Sequence, residues 1–207
     1  IFGSFQKLLD RLASFPGGLG GPKGPWAFDS DVYARATEEL CQEAGIELLF
    51  HSYLCDVAKE GETLKAAIYA SKSGLQAASA KVFVDATGDA DLAALAGCPF
   101  EQGRPGDGLT QPMTCCFEMS GVDEERMPSK TDIDNAFKAA RARGEVSIPL
   151  DWGVLYFYTT HPGQVHFNNT RIVRRHGTDV DDMTWAEAEG RRQRSEERRV
   201  GKECRSR

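Results

Sequence analysis

The most constraining stretch of the sequence is Val82 to Gly97, VFVDATGDADLAALAG. Its apolar start, Val82 to Ala86, reads as a buried strand, because β-branched and aromatic residues suit a pleated surface covered on both faces. It runs into Ala86-Thr87-Gly88. Gly88 has no Cβ, so the backbone can bend there and another group can come close. Asp89 stands where a helix N-cap belongs, and Asp91 falls in the first turn. Leu92, Ala93, Leu95 and Ala96 continue as helix, and Gly97 stops it. A strand–glycine–helix junction at the carboxyl end of a parallel sheet is a place where α/β folds bind ligands, and a helix N-terminus offers N–H groups to an anion. An ordinary capped helix explains the same spacing, and both readings stay open here.

The residues before this junction predict helix, strand, small antiparallel meander, strand. Phe5, Leu8, Leu9, Leu12 and Phe15 recur at helical spacing, so 2–15 is read as an amphipathic helix. Pro16 to Pro25 holds five glycines and three prolines and reads as a connecting loop. A phosphate cradle would need a strand before such a loop, and here a helix precedes it. Asp29 or Ser30 caps the next helix, with Val32, Ala36 and Leu40 as its apolar stripe and Gly45 as its stop. Ile46 to Phe50 reads as a buried strand. Leu54–Ala58, Leu64–Ala70 and Gln76–Ala80 read as three strands joined by Glu60-Gly61 and Ser73-Gly74 turns. Further on, Ile133, Phe137 and Ala140 give one apolar stripe in a helix within Glu124 to Arg143, and Trp152, Tyr156, Phe157 and Tyr158 form a strand.

The ends of the chain read differently from its body. It opens on Ile1-Phe2-Gly3 without a basic stretch leading into an apolar one, so it is expected to begin in mid-protein, without a signal peptide. The last residues, RSEERRVGKECRSR, resemble the translation of a short-read sequencing adapter, so 194–207 is taken as a non-native tail. Without its six basic and three acidic residues the net charge moves from -6 to -9. That acidic body argues against nucleic acid as a partner. No run of 18 apolar residues is present to span a membrane. Cys204 belongs to the tail. Cys41, Cys55, Cys98, Cys115 and Cys116 lack any CxxC spacing, and an odd count suits reduced core thiols in a cytoplasmic setting.

Taken with Pro99-Phe100-Glu101 and Gly103-Arg104, DATGDADLAALAG resembles the ATG-type motif of the FAD-dependent oxidoreductase family. Its members share a glutathione-reductase-like flavin fold and are related to fumarate reductase flavoproteins and to the flavin subunit of heterodisulfide reductase. EAGIELLFHSYLCDV is similar to the strand that enters the family's meander. Asp107-Gly108 with Gln111-Pro112-Met113-Thr114 resembles the segment that opens the substrate domain. Phe167 to Arg171, with Thr184 to Glu187, resembles a later NxTR…LTxAE pattern. The resemblance implies an α/β fold: an incomplete Rossmann-like FAD domain with a β-meander over 1–102, then part of an α+β substrate domain over 103–193. The GxGxxG unit and the acidic ribose-binding residue are absent, so the chain alone is expected to hold FAD poorly and to be inactive by itself.

The resemblance also implies roles. Leu54 would meet the adenine with its backbone. Ala86, Thr87, Gly88 and Asp89 would lie near the pyrophosphate or ribityl region, and Gln111, Pro112 and Met113 would approach the isoalloxazine. Hydride or electrons would pass through FAD to a small-molecule substrate or an electron-transfer partner. A 4Fe–4S cluster would have to come from elsewhere in the full-length protein or from a partner, since clustered thiolates are missing here. Two alternatives remain: a noncatalytic FAD- or nucleotide-binding subunit of an electron-transfer complex, and an α/β enzyme with a phosphate site at Gly88-Asp89.

Other residues draw attention on chemistry alone. Arg171 can grip a substrate carboxylate bidentately, or make a salt bridge. His161 is a loop histidine or a proton donor. His161 and His166 fit no metal template, and metal ligation by Asp179, Asp181 and Asp182 is the minor reading beside a charged loop, with Asp182 or Thr184 near the next helix cap. Cys115 and Cys116, as strand neighbours, point to opposite faces and suit no redox pair. Asn168-Asn169-Thr170 fits the glycosylation pattern, which matters only in a secreted protein.

Overall fold

The computed structural model describes residues 2–21 and 23–203. Cys204 and the end of the 194–207 segment lie outside the described residues. The chain divides into two compact units, one built from Ile1–Ala44 with Leu109–Arg207, the other from Gly45–Gly108.

In the first unit, α1 (Phe2–Ser14) buries Leu12 and lies against α2 (Ser30–Glu43). Arg11 forks to Glu39 at 2.9 Å and to both oxygens of Glu43 at 2.6 and 2.8 Å. Asp29 caps α2 by accepting from the Val32 amide at 2.9 Å, and Ala36 is fully buried. The expected loop between the helices instead forms a short antiparallel hairpin, β1 (Leu19–Gly21) with β2 (Gly24–Phe28). The reason lies in close approach: a Cβ on Gly21 would stand 2.5 Å from the Thr159 carbonyl oxygen.

The main core of this unit forms around α4 (Lys130–Ala142), capped by Ser129, whose side chain accepts from the Asp132 amide. Phe137 and Ala140 pack with Val146, Ile148, Leu150 and Val154, and Ile133, Tyr156 and Phe167 close the cluster. Beside it lies an antiparallel sheet of β6 (Phe117–Met119), β8 (Val165–Phe167) and β7 (Tyr156–Tyr158), in that order. Trp152, expected in a strand, sits in the exposed bend before it.

The last helix, α5 (Val180–Glu203), begins under a different cap from the one expected. Asp179 accepts from the Asp181 and Asp182 amides at 3.0 and 2.9 Å, while Asp182 binds Arg175 and the His176 amide instead. The helix continues through residues 194–203, where Glu196 accepts from Ser147 and Glu197 accepts from Asn169. Charged residues at i,i+4 spacing favour helix whatever their origin.

The second unit holds the expected meander: β3 (Tyr53–Glu60), β4 (Thr63–Ser71) and β5 (Gly74–Ser79), in sequential antiparallel order. A register shift between Leu54 and Asp56 bulges β3 at Cys55. The short α3 (Asp91–Leu95) packs on β3, and Lys59 donates to the Ala96 carbonyl at its end. Two expectations fail in this unit. Neither Ile46–Phe50 nor Val82–Ala86 forms a strand; Ile46, Leu49, Phe50, Val82 and Val84 are all exposed. An apolar run becomes a strand only where a neighbour takes its N–H and C=O groups, and no described residue pairs with either run.

Candidate functional site

The Ala86–Asp91 turn is organised by a residue that the motif reading passed over. Asp85 accepts from the Thr87 amide at 3.0 Å, from the Thr87 hydroxyl at 2.7 Å and, through its other oxygen, from the Ala93 amide at 2.9 Å. The Thr87 hydroxyl in turn accepts from the Asp91 amide at 2.8 Å. These bonds, the Thr87 hydroxyl first and the Ala93 amide next, hold the Asp85 carboxyl below its ordinary pKa. The signal was present in the sequence: a D-x-T ahead of a helix is the pattern of an Asx turn.

This corrects the expected cap. Asp89 makes no capping bond; Ala90 occupies the N-cap position with a left-handed φ of 59°. The amides at the start of α3 are therefore already committed to Asp85 and Thr87 and do not wait for an anion. What the turn leaves open is Gly88 to Ala90. Gly88 has φ 87°, which demands glycine, and nothing stands within 4 Å of where its Cβ would be. Among the described residues, the Gly88, Asp89 and Ala90 amides donate to nothing. In the same unit Leu54 lies half-buried on β3 opposite Tyr69.

The first unit brings together two other predicted segments. Met113 and Ile172 exchange backbone bonds of 3.2 and 3.0 Å, so Gln111-Pro112-Met113 runs beside Asn169 to Ile172. Gln111 is exposed, and Pro112 and Met113 are half-buried. Asn169 and Thr170 are fully enclosed and saturate backbone groups elsewhere. The Asn169 side-chain oxygen accepts from the Leu155 amide at 2.5 Å, and the Thr170 hydroxyl binds both the amide and the carbonyl of Cys115. The NxT pattern is thus a packing device. Arg171 lays its guanidinium over the Trp152 ring, 4.7 Å from the centroid, and makes no salt bridge among the described residues.

His161 is placed by a carboxylate. Its Nε2 lies 2.7 Å from Asp29 Oδ2, joining the turn between β7 and β8 to the cap of α2. The Val32 amide and then His161 lower the Asp29 pKa. His161 therefore belongs to a different part of this unit from the Met113–Ile172 ladder. His166 faces Glu118 and Phe157 across neighbouring strands.

The five described cysteines are not core thiols. Cys55, Cys98 and Cys116 are exposed, Cys41 and Cys115 are half-buried, and all five are free. Burial, then Cys115, pushes the Cys116 thiol pKa up, the opposite of an activated thiolate. Among the described residues no group of three His, Cys, Asp or Glu could hold a metal, and no helix is long and apolar enough to cross a membrane. The open hollow between α1 and α2, lined by Lys7, Arg11, Leu40 and Glu43, includes none of the predicted site residues.

The curated proteins contain no match to the chain, and neither do the solved structures. The family model described as FAD dependent oxidoreductase matches residues 1–203, nearly the full length, and the chain belongs to that family.

Proposed function

We propose that this chain is the later part of an FAD domain and the start of a substrate domain in an oxidoreductase that passes hydride or electrons through flavin. Family membership carries the reading. The flavin would supply the redox chemistry; the chain would supply binding and orientation.

In the second unit, the Gly88–Ala90 turn offers three uncommitted amides over an open glycine, next to carboxylates of Asp85, Asp89 and Asp91. Fixed negative charge disfavours a diphosphate there. Of the two regions expected near Ala86, Thr87, Gly88 and Asp89, the hydroxyl-bearing ribityl chain fits better. Leu54 on β3 is the proposed adenine contact. In the first unit, Gln111, Pro112 and Met113 are the proposed isoalloxazine contacts, on the same ladder as Arg171. The five free thiols suit a reducing, cytoplasmic compartment. A 4Fe–4S centre would belong to sequence outside this chain or to a partner.

Absorbance spectroscopy tests the reading. The parent polypeptide should keep oxidised-flavin bands through gel filtration, whereas the 207-residue chain mixed with FAD should lose them. A parent free of flavin after FAD supplementation would overturn the assignment. Flavin bands that no candidate substrate or electron carrier bleaches would favour the noncatalytic subunit.

A further inference from the structure

We propose that Arg171, stacked on Trp152, is a preformed receptor for a carboxylate, and that the substrate of the flavin reaction is therefore a carboxylic acid. The role in turnover rests on the flavoprotein reading above; the binding site does not.

Both halves of the stacked pair are anchored. On one side, the Arg171 amide donates to the Gln193 side-chain oxygen at 2.8 Å, and the Gln193 side-chain amide donates back to the Arg171 carbonyl at 3.2 Å. Gln193 is itself 3% exposed, and the flanking residues Thr170 and Ile172 are each 2% exposed. Residue 171 thus leaves a backbone fixed before it, after it and on its edge. On the other side, the bend carrying Trp152 is held by Asp134, which accepts from the Val154 amide at 2.9 Å. Trp152 remains 60% exposed, so the guanidinium it supports faces water along one margin.

The electrostatics point the same way. In a chain with 31 acidic residues, Arg11, Arg35, Arg104, Arg141, Arg143, Arg175, Arg191 and Arg192 each hold a carboxylate. Arg171 holds none among the described residues, and unlike Arg126, Arg174, Arg194 and Arg198, which hold none either, it lies over an aromatic ring. Arg175 is the internal comparison. It too lies over a tryptophan, with its guanidinium 4.5 Å from the Trp185 centroid, but one of its N–H groups already donates to Asp182 at 2.7 Å. An indole under one face leaves the in-plane N–H groups free, and a planar fork matches a carboxylate through two parallel bonds. A guanidinium already immobilised forfeits little entropy on binding.

Arginine-selective labelling with phenylglyoxal, mapped by peptide mass spectrometry on the unaltered chain, tests this directly. Succinate should slow labelling of Arg171 while leaving Arg174 and Arg126 unchanged; succinamide, its neutral counterpart at the same ionic strength, should protect nothing. Equal rates at Arg171 with and without succinate, or equal protection by the diamide, would refute the receptor. Arg171→Lys should weaken succinate binding about tenfold, read by calorimetry, because an ammonium cannot reproduce the fork. Arg175→Lys should leave it unaltered. If Arg171→Lys misfolds, the labelling result still decides. Protection of Arg171 in a parent protein that lacks flavin would keep the receptor and discard only the redox reading.

Discussion

At the scale of single residues, Glu197 is the group whose charge state the fold has to settle. Its residue is 8% exposed, one carboxylate oxygen accepts from Asn169 and the other is buried without a partner among the described residues. Burial, only partly offset by Asn169, pushes its pKa up to about 7 from an ordinary 4.5. The folded chain thus holds this proton more tightly than the unfolded chain does. Its effect on stability is nil below pH 4.5, grows unfavourable as pH rises toward 7, and is complete above 7. The loss is on the order of a few kcal/mol. Urea titrations across that range should show stability falling in the unsubstituted 207-residue chain and a flatter profile in Glu197→Gln. Matching slopes would mean that Glu197 is not enclosed in solution. Asp29, Glu39, Asp134 and Asp182 are shifted the other way by amide, arginine and lysine partners, so their contributions are lost only at more acid pH and do not overlap this window.

At the scale of elements, α3 depends on a carboxylate that precedes it by six residues. Asp85→Asn keeps the size of the side chain but replaces one accepting oxygen with a donor. Either the Thr87 pair or the Ala93 amide must then lose its acceptor. Hydrogen exchange at Ala93 and Asp91 should quicken several-fold in this variant, while amides of β4 stay unchanged. Unaltered exchange at Ala93 would show that another group caps the helix. This junction also shows what the sequence could and could not disclose. The glycine, its bend and the helix after it were legible, because Gly88 and Gly97 are local instructions. The identity of the cap was not. Asp85, Asp89 and Asp91 are chemically alike, and only the left-handed turn at Ala90 decides which one faces the helix. The meander was legible for the same local reason: alternation and turn residues at Gly61 and Gly74 fix it. Ile46–Phe50 and Val82–Ala86 were misread because strand formation depends on a neighbour, which an apolar run does not specify. The hairpin over Leu19–Phe28 was missed because glycine content reports flexibility but not the Thr159 backbone that packs against it.

At the scale of the whole molecule, the two units differ in how they are held. The described apolar core lies in the first unit, around Phe137, Ile148, Val165 and Ile172; Leu92 is the one buried hydrophobic residue in the second. Hydrogen bonding between β3, β4 and β5 sustains that unit without much apolar enclosure, and ladders with little burial open at low free energy. Native-state hydrogen exchange in rising urea should release the β3–β5 amides before those of α4 and β8. Simultaneous release would show that the second unit is covered in solution.

The side-chain amide of Gln193 has a consequence for self-association. By meeting both backbone groups of Arg171, it acts as a one-residue strand that cannot be lengthened. A visiting chain finds that margin stoppered. The outer margin of β5, fully exposed along Gly74 to Ser79, carries no such plug. Should copies of this polypeptide zip together, the seam would start there.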